Sequence, residues 1–344
     1  MPSDDRHPGR PDGSSPASAA GLADAAGRVL VTGATGFVGR ALCDLLDRQG
    51  VRVRAVSRGA GGGDVVPASA SAPGRVEAVT AEDVAGEGLY EGCTHVVHLA
   101  ARAHRTGERP GDAADLYRAT NVDLSCRVAR AAARGGVRRL LFFSTAGVLG
   151  DRSDGTPLAD DREPRPATAY AASKLEAEER LTGVCAETGV ELVIVRPTLV
   201  YGSAVVGNLR RLAGLVLRGL PLPFGLVRNR RSLVSLPSLC ELASRLLWHP
   251  AASGMRLAAA DADAVSTPDI VRAIAGGLGR PARLLPVPAP ILRPCLAGLL
   301  SPRTASQLLD DLEIAAAEPA RRVGWERPTD TADGLRRAAA SWRL

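Results

Sequence analysis

Aromatic side chains are scarce in this 344-residue chain, which has four Phe, four Tyr and three Trp. Single-stranded nucleic acid is held on stacking platforms built from such rings. No Lys/Arg block stands out beyond a short cluster at 228–231, so the composition argues against a nucleic-acid partner. Cysteine is sparse as well. The six stand at 43, 93, 126, 185, 240 and 295 with no CxxC pair, a spacing that suits neither a zinc or redox site nor a disulfide framework. It predicts reduced, buried thiols in a cytoplasmic protein, and no metal. Long apolar runs are missing too. The most apolar late stretch, 284–300, is broken by Pro286, Pro288, Pro290, Pro294 and Arg293. It is too short and too interrupted to span a bilayer, so stable membrane insertion is not expected. Residues 1–26 are rich in Pro, Gly, Ser and charge and lack an apolar core segment, which reads as a disordered tail and not a signal peptide.

What is present begins at RVLVTGATGFVGRAL, 28–42. An apolar run, Val29–Val31, reads as a buried strand. Gly33, Gly36 and Gly39 follow, and then a helical pattern. Glycines between strand and helix permit a sharp turn, close approach of backbone N–H groups to a pyrophosphate, and tight helix–strand packing. The helix N-terminus adds its unpaired N–H groups and positive dipole end. A net charge of +6 and a pI near 9.3 suit acidic ligands of this kind.

Further strands are expected at 51–57, 75–79, 94–101, 139–144 and within 191–202, where Pro197 is expected just past the strand, with helices between them, the pattern of a doubly wound α/β sheet. The second strand ends in Ser57–Arg58. A carboxylate there would accept hydrogen bonds from the adenine ribose, whereas a hydroxyl and a guanidinium suit a 2′-phosphate, so the pair favours NADP over NAD. The fourth closes on Leu99 and then the small residues Ala100 and Ala101, which leave room for a cofactor to pass, and all three are expected to contact it. His98 within it reads as structural. Asn121, in a helix expected over 112–134, is placed over the cofactor. Thr145 closes the fifth strand, and Tyr170 and Lys174 follow in YAASK. Four residues apart on a helix they share one face. An ammonium beside a phenol is expected to draw the phenol pKa towards neutrality, making Tyr170 a proton donor–acceptor with Thr145 holding the substrate oxygen.

These motifs together, TGATGFVG at 32–39, HLAA at 98–101, Ser144–Thr145, YAASK at 170–174 and RPTLVYG at 196–202, resemble the extended short-chain dehydrogenase/reductases of the NAD-dependent epimerase/dehydratase family. The resemblance implies a Rossmann-like doubly wound parallel sheet with a smaller C-terminal substrate-binding lobe. It implies Tyr170 as catalytic acid/base, Lys174 on the nicotinamide ribose, and Thr145 in the Ser/Thr role. Gly33, Thr35, Gly36, Phe37, Val38 and Gly39 would bind NAD(P), and Pro197 would lie in the loop that passes the nicotinamide. Two departures stand out: no Gly-Asp-Leu follows the third strand, and Leu149 replaces a common aromatic.

By the same resemblance, Asn208 and Arg231 would contact the diphosphate of a UDP-sugar, Arg228 and Arg230 being the other cations of that turn. ARAHR at 101–105, GLPLPFG at 219–225 and RLLPVPAPILR at 283–293 are similar to a subgroup that reduces UDP-linked 4-keto-6-deoxy-N-acetylhexosamines. A C4 epimerase that retains NAD and a non-catalytic NAD(P)-binding sensor remain alternatives, and a homodimer is left open. The expected division is 27–205 for the dinucleotide domain, rejoined by 234–250, with 206–233 and 251–344 as the lobe.

Overall fold

Short runs rich in Val, Leu, Ile and Ala build one seven-stranded sheet in the computed structural model, which describes residues 27–57, 75–80, 83–86, 88–102, 110–204 and 207–343. Its strands are β1 (Arg28–Thr32), β2 (Arg52–Ser57), β3 (Val76–Thr80), β4 (Cys93–His98), β5 (Arg139–Phe143), β6 (Glu191–Pro197) and β7 (Arg256–Ala259). They lie in the order β3-β2-β1-β4-β5-β6-β7, every neighbouring pair parallel. Parallel strands need covered faces, and along β1 the side chains alternate between two cores. Val29 and Val31 join Leu42, Leu46, Leu239 and Leu246. Leu30 joins Val96, Phe142, Val128 and Leu181 on the other face. The strand order reverses between β1 and β4, which opens a crevice at the carboxyl ends of the strands.

Helix α1 (Phe37–Arg48) crosses from β1 to β2. The helix expected over 112–134 is α2 (Pro110–Tyr117) and α3 (Leu124–Arg134) joined through a π-helical turn, Arg118–Asp123. α4 runs Ala169–Thr188; the Thr168 side chain accepts the Ala171 N–H at its start, and Gly189 at φ +75° ends it. The lobe contains α5 (Gly207–Leu217), α7 (Thr267–Gly277), α8 (Ala289–Leu299), α9 (Pro302–Leu309) and α11 (Thr331–Ala340), around a core of Leu209, Phe224, Ile274, Leu335 and Trp342. α6 (Leu236–Trp248) returns to the sheet, its Leu239 and Leu246 in the first core. No helix among the described residues is long and apolar enough to cross a membrane.

The boundary of the lobe differs from the expectation. Arg256–Ala259, placed in the lobe by sequence, pairs with β6 as the seventh strand. Ala320, Val323 and Trp325, from and just after α10 (Ala317–Arg322), also pack into the first core. A four-residue strand carries too little pattern to be recognised before its neighbour is in place. Likewise β4 stops at His98, and Leu99–Arg102 leave the sheet as a loop whose Leu99 N–H still reaches the Thr32 carbonyl at 3.2 Å. Residues 1–26, Arg58 and the Gly-rich stretch 59–74 lie outside the described residues.

Candidate active site

The glycine turn after β1 leaves no room for side chains. Gly33 sits at φ +70°, and a Cβ on it would stand 2.9 Å from the Ala100 N. A Cβ on Gly39 would meet the Gly33 carbonyl oxygen at 2.3 Å, so α1 packs directly on the turn. Gly36 caps α1 with no side-chain hydrogen bond, which leaves the first-turn N–H groups, Phe37 and Val38 among them, without an intrahelical partner. Both of these side chains pack on the core, so they offer the crevice backbone alone. Thr35 is held by its carbonyl, which accepts from Arg40 Nε at 2.7 Å. Leu99, Ala100 and Ala101 line the facing loop, and Pro197 closes β6 opposite Ala259. Ser57 ends β2 beside Thr80. This bare, glycine-lined helix start fits a dinucleotide pyrophosphate.

Thr145 follows β5 and caps a single 3₁₀ turn, Ala146–Val148, its hydroxyl accepting from the Gly147 N–H at 3.2 Å. That bond uses a lone pair, so the hydroxyl proton remains for a substrate oxygen. Next to it, Ser144 is buried with an unpartnered Oγ. On α4, Tyr170 packs edge-on against Tyr117, ring centroids 6.1 Å apart. Lys174 is fully buried, donates to the Phe143 carbonyl at 2.8 Å and lies over the Phe142 ring. Lys174 is also the sole lysine of the chain. Every other side-chain cation of the Lys/Arg type is a guanidinium, so Lys174 supplies the one side-chain ammonium.

The expected mutual tuning of Tyr170 and Lys174 is not what the free chain does. Burial first, then the neighbouring Tyr117, pushes the Tyr170 phenol up to about 12. Burial pushes Lys174 down to about 7, against the pull of Glu178. Burial dominates both shifts, with Tyr117 the other group acting on the phenol and Glu178 the other acting on the ammonium. Glu178 stands one turn beyond Lys174 on α4 and is fully buried. It forms a two-point pair with Arg196 of β6, at 2.6 and 3.1 Å. Arg196 also reaches the Asp160 carbonyl at 3.2 Å. Burial raises the Asp160 carboxyl to about 6. The i+4 spacing of Glu178 from Lys174 was the signal that sequence reading passed over.

Asn121 has a different task from the cofactor contact expected of it. It is buried in the π turn, its Oδ1 accepts the Arg102 N–H at 2.8 Å, and its Nδ2 donates to Ser173 Oγ and the Arg102 carbonyl. With its amide so occupied, Asn121 fastens the β4 loop to α4 between Tyr170 and Lys174. His98 is structural as expected, buried between Thr32 and Ser125, with burial lowering its pKa to about 3.

The lobe contributes the arginine segment. Arg230 is committed to both oxygens of Glu313 at 2.7 Å, and Arg228 is exposed. Between them Asn229 is buried, bonded to Thr267 and to the Leu308 and Asp310 carbonyls. Arg231 is partly buried and donates to the Asp310 carbonyl at 3.1 Å. Burial lowers its pKa, opposed by Asp310, Asp311 and Asp151. Asn208 is exposed at the start of α5 and donates to Gln307 at 2.9 Å. Asn208 and Arg231 therefore meet the same end of α9. The segment also reaches the turn that Thr145 caps: Ser232 bonds to Leu312 and Ile314, and Ile314 packs with Ala146, Val148 and Leu149.

Residues 29–253 match the model of the NAD dependent epimerase/dehydratase family. The chain is 34% identical over 253 residues to UDP-glucose 4-epimerase of Vibrio cholerae, which covers 72% of this chain and 76% of that protein. It is 30% identical over 247 residues to dihydroflavonol 4-reductase of Zea mays, 66% and 68% of the two chains. Among solved structures it resembles UDP-glucuronic acid 4-epimerase from Bacillus cereus in complex with NAD, with a TM-score of 0.73 at 18% identity over 91% and 96% of the chains. It also resembles the Bordetella bronchiseptica enzyme WbmG in complex with NAD and UDP, with a TM-score of 0.70 at 23% identity over 92% and 93%.

Proposed function

This chain belongs to the NAD dependent epimerase/dehydratase family, and from that premise we propose that it reduces the 4-keto group of a UDP-linked 4-keto-6-deoxy-N-acetylhexosamine. Bound in the glycine cradle, a nicotinamide cofactor supplies the hydride. The Thr145 hydroxyl donates to the ketone oxygen and fixes it. Tyr170 passes its phenolic proton to that oxygen as the carbon is reduced, so the product is an alcohol and one proton has left the protein. Lys174, next on the same helix face, offers N–H donors for the ribose and a nearby positive charge that stabilises the developing phenolate. Arg231 and Asn208, at the end of α9, would hold the UDP diphosphate, whose binding energy orients the ketone.

The observation that carries this reading is geometric: Tyr170 and Lys174 lie one turn apart on α4, and Thr145 caps the turn after β5 with its hydroxyl proton uncommitted. The same residues would serve a C4 epimerase, which begins by removing a proton where a reductase begins by giving one. That second reading is favoured by the likeness to the Vibrio cholerae epimerase, and it calls for NAD held tightly through both half-reactions. Ser57, with Arg58 after it, supports NADPH as the reductant, because no carboxylate ends β2. Mixing the protein with NADPH and the UDP-4-keto sugar should consume nicotinamide absorbance in proportion to ketone. Interconversion of UDP-hexoses without net absorbance change would replace the reductase with the epimerase. A lower KM for NADH than for NADPH in the wild type would overturn the role of the β2 terminus.

A further inference from the structure

The lobe carries a surface that the proposed reaction does not use. From 271 to 309 the sequence contains five arginines and no acidic residue, with Arg272 and Arg293 paired to Asp269 and Asp310 at its borders. Six of the eight large aliphatic side chains exposed among the described residues lie on this run or on the segment paired with it. That segment, 219–226, is joined to 283–285 by backbone bonds from Leu222 to Arg283, Leu285 to Leu222 and Gly225 to Leu285. It adds exposed Leu220 and Leu226 to Leu285. α8 continues the strip. Its Leu292 is buried against the lobe core and Leu296 packs there too. Yet Ile291, Cys295 and Leu299, spaced i, i+4, i+8 beside that buried stripe, are all exposed, Leu299 by 81%. An apolar helix stripe left open in this way is normally covered by something.

Charge points to what covers it. Arg218 and Arg280 are exposed and pair with no carboxylate among the described residues, and Arg283 donates only to the Gly219 carbonyl. These guanidiniums stand beside the exposed leucines in sequence and in pairing. The face therefore combines an aliphatic stripe with a cationic border.

We propose that this face docks reversibly on the surface of an anionic phospholipid bilayer, with α8 lying in the interface plane. Ile291, Leu299 and Leu300 would enter the headgroup–acyl boundary, while Arg218, Arg280 and Arg283 meet lipid phosphates. A second copy of the chain suits the face poorly, because a two-fold interface sets the same patch against itself and brings arginine to arginine. Protein partners are usually anchored by Trp and Tyr, and 271–309 contains neither. At about 1.5 Å per residue, the eleven residues of α8 reach roughly half the ~30 Å apolar thickness, so the contact is peripheral.

The test is co-sedimentation of the full chain with vesicles of phosphatidylcholine alone or with about one-third phosphatidylglycerol. The protein should pellet with the anionic vesicles and be released as salt rises towards about 1 M. Ile291→Ser with Leu299→Ser, and separately Arg280→Glu with Arg283→Glu, should each lower partitioning about tenfold. All four sites are exposed, so circular dichroism should be unchanged. Failure to pellet with anionic vesicles, or wild-type partitioning of either double variant, would overturn the proposal. So would a wild-type dimer in ultracentrifugation that the Ile291/Leu299 variant dissociates, because the face would then belong to a second copy.

Discussion

Two charged regions of this molecule are built in opposite ways. On α4 the groups lie on one helix, Tyr170, Lys174 and Glu178 at successive i+4 positions, with Arg196 of β6 closing the row. Lys174, Glu178 and Arg196 are buried, and each is tied to a named partner. The 228–231 segment has no regular structure of its own. Its arginines are sorted only by what approaches from elsewhere: Glu313 takes Arg230, while Asp310 after α9 receives Arg231. Helix periodicity places three of the four groups of the first region, and only Arg196 comes from another element. The second is a product of chain segments some 80 residues apart. The difference teaches that a charged motif read from sequence is dependable when one helix carries it, and needs the fold when a loop does.

If that contrast holds, α4 charges should fail in folding and lobe charges in ligand binding. The largest effect is expected for Arg196→Ala, which strands Glu178 as a buried uncompensated carboxylate. It should destabilise the protein by about 3–5 kcal/mol, read as a lowered urea midpoint; a variant as stable as wild type would mean the pair is not structurally required. Tyr170→Phe should leave folding and cofactor affinity intact and lower turnover by about 10²-fold or more. Near wild-type turnover would remove Tyr170 from the chemistry.

Arg231→Ala should cost UDP affinity about 2 kcal/mol, the low end for one partner of a desolvated pair because the side chain is only partly buried. Arg230→Ala, which breaks a surface pair, should change it little. Calorimetric titration separates the two, and equal UDP affinities in all three proteins would sink the role of Arg231.

The last effect is a slope. Lys174 has its folded pKa pushed down from 10.5 to about 7. Between those values the unfolded chain binds the extra proton, so this group makes stability rise with pH across that window and costs most below it. Without nucleotide, wild type should gain up to about 1.4 kcal/mol per pH unit there relative to Lys174→Met. Because the chain has a single lysine, selective labelling gives one ε-amine resonance that reports the pKa directly. An ordinary lysine titration would refute the burial argument.

The sequence by itself determined the cofactor half. Apolar runs, the Gly33–Gly36–Gly39 spacing and the Tyr170–Lys174 interval are local patterns, and backbone geometry converts them into a strand, a bare helix start and one helix face. Local pattern could not assign β7, whose four residues gain meaning only beside β6. Nor could it give Asn121 its partners, since Arg102 and Ser173 are far apart in the chain. The direction of the Tyr170 and Lys174 pKa shifts lay beyond it as well. Spacing specifies which charges are neighbours, but burial sets what each charge costs, and burial exists only once the sheet, α4 and the loops above them have packed together.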